Sequence, residues 1–287
     1  MKSNIKINID SELSHEIVLW RYMSLEKLIN LIDTSALFLS PIAFFKNSDP
    51  LEGHLPKKFH DAIASHLQSM MQSGPKFPKS APKEMLDFEK EWEVTSNRRL
   101  KLMREKAQGR QSICCWNESQ FESEAMWKLY GDNGKSIAIK TTVGSLKKSI
   151  ESKDNEKLVS LERMRYLDFN DADMTREELL AKKERVSSIL LKRKEYEHER
   201  EVRLYHDPDI FDLTSPQLIL SEYWEKYIIK PHTINVDISE LIHSVVISPY
   251  VSEPYTSSVK AICAKYELTE CDVYQSKLLE SYDIKWE

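Results

Sequence analysis

Short runs of β-branched and aromatic residues recur along this chain without the regular alternation with helices that a parallel α/β sheet requires. The predicted strands are 17–23, 36–40, 112–116, 136–140, 158–166 and 200–205, with further strands near 234, at 245–248 and at 271–274. The six glycines are scattered and form no phosphate-binding loop, which argues against Rossmann and P-loop folds. We therefore predict an α+β fold with a central mixed or antiparallel sheet of short strands and flanking helices.

Capping residues mark the starts of several helices between these strands. Ser24 precedes apolar residues at helical spacing, and Ser123 precedes a short helix that contains Trp127. Apolar residues at helical spacing also run from Thr175 to Leu190, which predicts one long helix. The length of 287 residues is enough for one large domain with a helical insertion, so residues 1–287 are assigned to a single domain.

Residues 56–110 are predicted to form that helical insertion. Phe59 and Ile63 mark an amphipathic helix, and a second, highly charged helix is expected over about 84–107. Prolines interrupt the pattern within 73–83, which predicts a Pro-rich linker or lid segment. The basic residues near the end of the second helix are more typical of a solvated helix face than of a nucleic-acid groove.

Composition limits the classes of partner that this chain is expected to have. Hydrophobic residues make up 41% of the chain and charged residues 30%, as in ordinary globular proteins. No apolar run approaches the length that crosses a bilayer, and the first residues lack the apolar core of a signal peptide. A cytoplasmic protein without a membrane partner is therefore expected. The formal net charge of −5 disfavours non-specific nucleic-acid binding.

The four cysteines include no C-x-x-C pair. Cys114 and Cys115 lie on a predicted strand and therefore face opposite sides of the sheet, so they cannot bind one metal ion together. Isolated thiols in such a chain are usually small core residues. We accordingly predict no metal site.

Arg21 is the first candidate functional residue. It lies within a predicted strand of Ile, Val, Leu and Trp, where burial of a charged group costs free energy unless a partner is present. Two interpretations stand. The guanidinium either clamps a phosphate or carboxylate of a ligand, or forms one side of a structural salt bridge.

Glu199, Glu201 and Arg203 are the second candidate set. Residues i, i+2 and i+4 share one face of a strand, so the three charges are expected to lie side by side. The two carboxylates repel each other, and one pKa is expected to rise unless a cation such as Arg203 or Arg21 lies between them. A catalytic carboxylate with an orienting partner is one interpretation, and an exposed or self-satisfied ionic network is the other.

Aromatic and loop residues complete the candidates. Trp127 and Tyr130 are three apart on a helix and share a face, where they either stack on a ligand or belong to the core. Asp49 and Glu52 lie in a loop that ends in Gly53. That pattern favours a turn stabilised by the aspartate and also fits a functional loop.

Four segments, in their order along the chain, resemble the family known as domain of unknown function 2971 (DUF2971). They are Leu19-Trp20-Arg21-Tyr22, Asp49-Pro50-Leu51-Glu52-Gly53, Met126-Trp127-Lys128-Leu129-Tyr130 and His198-Glu199-Arg200-Glu201-Val202-Arg203. The resemblance extends over roughly 17–279. The family name states no function, so the resemblance implies a fold and a shared site rather than a reaction.

The order of the predicted elements is similar to that of ADP-ribosyltransferases. An early strand carries an arginine and is followed by a short helix and a second strand, and a late strand carries Glu-x-Glu. This resemblance implies an enzyme that uses NAD as a substrate to modify a protein or nucleic-acid target, in bacterial conflict or defence. It implies that Arg21 holds NAD and takes part in catalysis. We further predict that Tyr22, Trp127, Tyr130 and Arg203 bind NAD. Glu201 would be the catalytic carboxylate and Glu199 the accessory one.

Two further functions stay open. A nucleotide or nucleic-acid hydrolase would use the acidic residues Asp49, Glu52, Glu199 and Glu201, and an ion held among these side chains would distinguish it. A non-enzymatic module that binds a nucleotide-type small molecule would use the aromatic and arginine residues. Tight ligand binding without turnover would distinguish that module.

Overall fold

The computed structural model describes residues 7–131, 134–155, 158–180, 187–207, 226, 228–268 and 271–281. The strands are β1 (Ile7–Ile9), β2 (Val18–Met23), β3 (Ala36–Pro41), β4 (Ser112–Glu118), β5 (Ile137–Thr142), β6 (Val159–Arg163), β7 (Arg165–Leu167), β8 (Leu191–Arg193), β9 (Glu201–His206), β10 (His232–Asn235), β11 (Ser244–Ile247) and β12 (Asp272–Gln275). The helices are α1 (Leu25–Thr34), α2 (Lys57–Gln72), α3 (Lys83–Ala107), α4 (Glu124–Tyr130), α5 (Val143–Glu151), α6 (Arg176–Leu180), α7 (Ile238–Leu241) and α8 (Tyr255–Lys265). The 3-10 turns are Ile42–Phe45, Gln108–Arg110, Ser188–Leu190 and Lys194–Glu199.

Ten of the described strands form one mixed sheet. Its order is β1-β6-β9-β4-β2-β5-β11-β12, and β3 pairs with both β4 and β10. The pairs β1–β6 and β11–β12 are parallel, whereas the central strands pair antiparallel. β7 and β8 form a separate parallel pair. The predicted α+β fold with a mixed sheet of short strands is confirmed.

Different helices pack against the two faces of the sheet. Alternate sheet residues such as Leu19, Val202 and Leu204 join the buried sides of α1, α5 and α8 in the largest apolar cluster. On the opposite face, Trp20 and Tyr22 pack with residues of α4 in a smaller cluster. The strand period of two residues sorts the side chains of each strand onto these two faces.

The sheet opens between β2 and β4. Pairing of β2 with β4 ends at Trp20–Asn117, and pairing of β3 with β4 begins at Ser40–Ile113. Residues 114–116 of β4 pair with β9 on one side but have no strand partner on the other within the described sheet. The opening lies near the centre of the sheet, where backbone pairing would otherwise exclude a ligand.

Two predicted elements differ from those observed. The predicted helix from Thr175 to Leu190 is wrong, because α6 ends at Leu180 and Ser188–Leu190 is a 3-10 turn followed by β8. Residues 181–186 lie outside the described part of the chain. Ile189 and Leu190 pack in an apolar cluster with Tyr205, so tertiary contacts override their helical spacing. The predicted strand 158–166 is divided at Met164 into β6 and β7.

The segment predicted as a helical insertion contains α2 and α3, with the proline-containing stretch between them. Among the described residues, no helix combines the length and the apolar composition that membrane crossing requires. At the short helix α4, the Ser123 side chain accepts a hydrogen bond from the Met126 backbone, as its predicted capping role requires.

Candidate functional site

A cleft lies where β2 and β4 separate. Its cavity volume is about 40 Å³, and the cleft is partly open to solvent. Its lining consists of Trp20, Arg21, Tyr22, Cys115, Trp116, Asn117, Met126, Tyr130, Glu199 and Glu201. The fold thus brings five of the predicted site residues to one place, and the cleft receives residues from β2, β4, α4 and the start of β9.

Arg21 borders this cleft from β2. Its guanidinium carbon lies 5.8 Å from the ring centroid of Trp116, another cleft residue. Within the described part of the chain, its side chain makes no ion pair or hydrogen bond. Of the two interpretations of Arg21, the structural salt bridge therefore has no counterpart among the described residues, and the guanidinium is available to a ligand.

Glu201 and Arg203 lie on one face of β9, as predicted. Arg203 is completely buried, and its Nε donates to Oε1 of Glu201 at 2.8 Å. Its Nη1 donates to Oε1 of Glu52 at 2.9 Å and to the Ile189 carbonyl at 2.6 Å. Arg203 does not line the cleft, so the expectation that it contacts NAD directly is corrected.

Lys192 of β8 is the cation that lies between the two carboxylates. Its Nζ donates to Oε2 of Glu199 and, at 3.0 Å, to Oε2 of Glu201, and it lies 3.9 Å from Oε2 of Glu52. The sequence prediction had assigned this role to Arg203 or Arg21 and missed Lys192. A lysine directly after two leucines was the available signal, but residues 191–193 lie outside every predicted helix and strand.

The cations determine the protonation of this network, which consists of Glu52, Lys192, Glu199, Glu201 and Arg203. Burial alone would raise the pKa of Glu201, but the charges of Arg203 and Lys192 outweigh it and lower this pKa to about 2. Burial lowers the pKa of Lys192, yet the charges of Glu201 and Glu199 raise it above its ordinary value. With all five side chains ionised, three carboxylates face two cations and the network carries one net negative charge.

Glu199 reaches the network from outside the strand. It ends a 3-10 turn, and Arg200 then adopts a left-handed conformation with φ of 42°. Asn117 Nδ2 donates to the Glu199 carbonyl at 2.7 Å, and the Glu118 backbone N–H donates to the Arg200 carbonyl at 2.9 Å. The expectation that Glu199 lies on the strand with Glu201 is therefore wrong, although the two side chains still meet.

The loop with Asp49 and Glu52 is bound to the same region. Both side chains are buried, and Asp49 accepts from the Leu51 backbone, which is the predicted aspartate-stabilised turn. Asp49 also pairs with Arg193 Nη2 at 2.8 Å, and Glu52 pairs with Arg203. The loop is thus a component of the ionic network as well as a turn.

Of the aromatic candidates, Trp127 belongs to the core, whereas Tyr22 and Tyr130 line the cleft. Trp127 is 0% exposed and its Nε1 donates to Glu122 at 2.9 Å, so its expected stacking on a ligand is corrected to a core role. Tyr22 accepts from the Ser123 backbone at 2.8 Å, and its burial raises its pKa to about 12. Tyr130 lines the cleft, and burial of its hydroxyl together with the charge of Glu199 raises its pKa.

Two buried polar atoms beside the cleft have no hydrogen-bond partner among the described residues: Nε1 of Trp116 and Oδ1 of Asn117. An unpaired buried polar group costs about 1–3 kcal/mol and is uncommon in folded proteins. A ligand group or a bound water at this place would supply the missing hydrogen bonds. Both residues border the opening in the sheet.

The cysteines lie on opposite faces, as predicted. Cys114 belongs to the large apolar cluster, whereas Cys115 lines the cleft. Burial raises the pKa of both thiols. Across the described residues, no group of three or more His, Cys, Asp or Glu side chains is arranged to hold a metal ion.

Residues 126–204 match the family model described as "Protein of unknown function (DUF2971)". The matched segment contains Tyr130, Lys192, Glu199, Glu201 and Arg203. It is under a third of the chain, and it does not include Arg21 or Asp49. Searches of curated proteins and of solved structures give no match.

Proposed function

We propose that this protein is an ADP-ribosyltransferase-like enzyme that uses NAD as a substrate and transfers ADP-ribose to a protein or nucleic-acid target. The observation that carries the proposal is the charge arrangement of the cleft. Arg21, without an ion pair among the described residues, borders a cleft whose floor carries the buried carboxylates Glu199 and Glu201. NAD combines an anionic pyrophosphate with a cationic nicotinamide ring, and it therefore complements both charges.

The aromatic lining supports the same ligand. Tyr130 borders the cleft beside the carboxylates and is 42% exposed, whereas Trp20 and Tyr22 border it as buried rings that stack on each other. Aromatic faces attract cations and stack on planar rings, so a nicotinamide ring is favoured on both grounds. The cavity volume of about 40 Å³ is well below that of ligand pockets, so NAD binding requires bordering side chains such as the exposed Tyr130 to move aside.

The chemistry requires stabilisation of positive charge. In the proposed reaction the bond between C1′ of the ribose and the nicotinamide nitrogen breaks, and its electron pair leaves with neutral nicotinamide. A nitrogen or oxygen of the target bonds to C1′ and releases its proton to solvent. Because the Glu201 pKa is lowered to about 2, this carboxylate is ionised at neutral pH and adds to the negative charge beside the cleft, which stabilises the oxocarbenium-like transition state electrostatically.

The hydrolase alternative receives less support from the same geometry. Its four acidic residues are already paired with cations: Asp49 with Arg193, and the three glutamates with Lys192 and Arg203. A divalent ion would have to displace these cations. The alternative of a non-enzymatic nucleotide-binding module uses the same cleft and differs only in lacking turnover.

Titration calorimetry with NAD and an assay of nicotinamide release by the full-length chain test the proposal, with and without cell extract as a source of targets. Arg21→Ala should weaken NAD binding by about 10- to 100-fold, because a charge-assisted pair with phosphate is lost. Arg176→Ala is the matched control, since Arg176 is exposed and does not line the cleft.

Three outcomes separate the candidate functions. Binding with nicotinamide release that Arg21→Ala weakens supports the transferase. Binding without release supports the non-enzymatic module. A wild-type protein that does not bind NAD refutes the proposal.

A further inference from the structure

The two glutamates of the cleft differ in how their oxygens are used. Oε1 of Glu201 accepts from Arg203 Nε at 2.8 Å, and its Oε2 accepts from Lys192 at 3.0 Å. Each oxygen of Glu201 therefore already binds a cation. A ligand group that approaches this carboxylate therefore meets oxygens that already bind buried cations.

One carboxylate oxygen of Glu199 accepts no hydrogen bond from the described residues. Its Oε2 accepts from Lys192, whereas its Oε1 accepts no hydrogen bond from the described residues. Glu199 lines the cleft, and it shares one cation while Glu201 binds two. Glu199 therefore offers a carboxylate oxygen without a hydrogen bond from the described residues, next to the space that a ligand would occupy.

The backbone holds Glu199 in this position independently of β9. The left-handed conformation of Arg200 turns the chain away from the strand, and Asn117 on β4 binds the Glu199 carbonyl at 2.7 Å. Asn117 itself lines the cleft. The glutamate is thus anchored to the wall of the cleft that β4 provides, which is typical of a side chain whose orientation matters for a ligand.

We infer that Glu199 is the catalytic carboxylate that contacts the nicotinamide ribose, and that Glu201 is a positioning residue that acts through Lys192. This inference rests on the proposed function and reverses the roles that the ADP-ribosyltransferase resemblance implies. Glu199 accepts a hydrogen bond from a ribose hydroxyl and stabilises the positive charge that develops at C1′ as nicotinamide leaves with the bonding electron pair. Glu201 holds Lys192, and Lys192 in turn fixes Glu199.

The test compares Glu199→Gln with Glu201→Gln in the full-length chain, and uses Glu151→Gln as a control because Glu151 is exposed at the end of α5. Thermal unfolding without ligand, NAD affinity and nicotinamide release at saturating NAD are measured, the last about 10 °C below each melting temperature. Glu199→Gln should melt within a few degrees of the control and bind NAD within about 3-fold, yet release nicotinamide at least about 100-fold more slowly.

Glu201→Gln should give the opposite pattern. Its melting temperature should fall by roughly 10 °C, because Arg203 and Lys192 lose a buried partner. Its release of nicotinamide at saturating NAD should fall by about 10-fold with an unchanged KM, which a merely structural defect would not produce. The fall in melting temperature needs no ligand, so it tests the assignment of Glu201 separately from turnover.

The outcomes that overturn the inference are specific. If Glu199→Gln retains near wild-type release, or destabilises the fold as much as Glu201→Gln, Glu199 is a structural member of the network. If Glu201→Gln abolishes release with an unchanged melting temperature, the implied roles were right and ours are wrong. A wild-type protein that does not bind NAD overturns the proposed function as well, and is recognised before any variant is compared.

Discussion

The two faces of β9 are equally buried but are stabilised by different forces. Val202 and Leu204 belong to the large apolar cluster, whereas Glu201 and Arg203 on the opposite face belong to the ionic network. Apolar burial contributes free energy directly, while a buried ion pair must first offset the cost of desolvation. A face that keeps charges at this cost is a better candidate for function than a face that does not, and this contrast locates the site on the cleft side.

Removing Arg203 should have the largest effect on stability. Arg203→Ala leaves Glu201 and Glu52 without their shared cation, and should lower the free energy of unfolding by about 3–5 kcal/mol. Leu204→Ala on the apolar face should cost a comparable amount, about 2–5 kcal/mol, through the cavity it leaves. Urea denaturation at pH 7 and pH 4 distinguishes the two variants. Only the loss of unfolding free energy in Arg203→Ala should be smaller at pH 4, because protonation neutralises carboxylates that lack their cation. A loss below about 1 kcal/mol for Arg203→Ala contradicts the contrast.

Acid should weaken the ionic face selectively. The folded pKa of Glu201 is about 2 against an ordinary value of 4.5, so its contribution is complete above pH 4.5 and is lost as the pH falls towards 2. The wild-type protein should lose about 3 kcal/mol from this group over that interval. In Glu201→Gln, the free energy of unfolding should fall less steeply as the pH is lowered from 5 to 2.5, because the titrating carboxylate is absent. Identical slopes in both proteins would show that Glu201 is not paired as described.

The anchor of Glu199 should have a smaller effect. Asn117→Ala removes the donor to the Glu199 carbonyl and leaves a buried acceptor unpaired, so the free energy of unfolding should fall by about 1–3 kcal/mol. Asn170→Ala, at an exposed position, is the matched control and should change stability by less than about 0.5 kcal/mol. Chemical denaturation measures both. Equal effects of the two variants would place Asn117 outside the support of the cleft.

The smallest expected effect is a gain. Arg200 is exposed and adopts a left-handed backbone conformation that glycine adopts without steric cost. Arg200→Gly should therefore raise the free energy of unfolding by up to about 1 kcal/mol, while Arg200→Ala should not. Thermal and urea unfolding of both variants would show the difference. A loss on substitution by glycine would indicate that the Arg200 side chain contributes more than its backbone strain costs.

Much of the fold could be predicted from the sequence because the relevant information is local. The alternation of Glu201 to Tyr205, the opposite orientations of Cys114 and Cys115 and the cap at Ser123 all follow from repeats of two residues in strands or from the first turn of a helix. The helix predicted up to Leu190 failed because its apolar residues satisfy a buried cluster without helical geometry.

Sequence patterns by themselves determined the α+β class, most strand positions and which residues of β9 share a face, since side-chain direction is a property of the local backbone. Only the tertiary structure decided which charges meet. Glu52 and Arg203 are 151 residues apart, and Lys192 lies on β8, a strand that the sequence pattern did not predict. The opening between β2 and β4 is likewise set by strand registers across the sheet. Pairing of charges and strands depends on proximity in space, which no local repeat encodes.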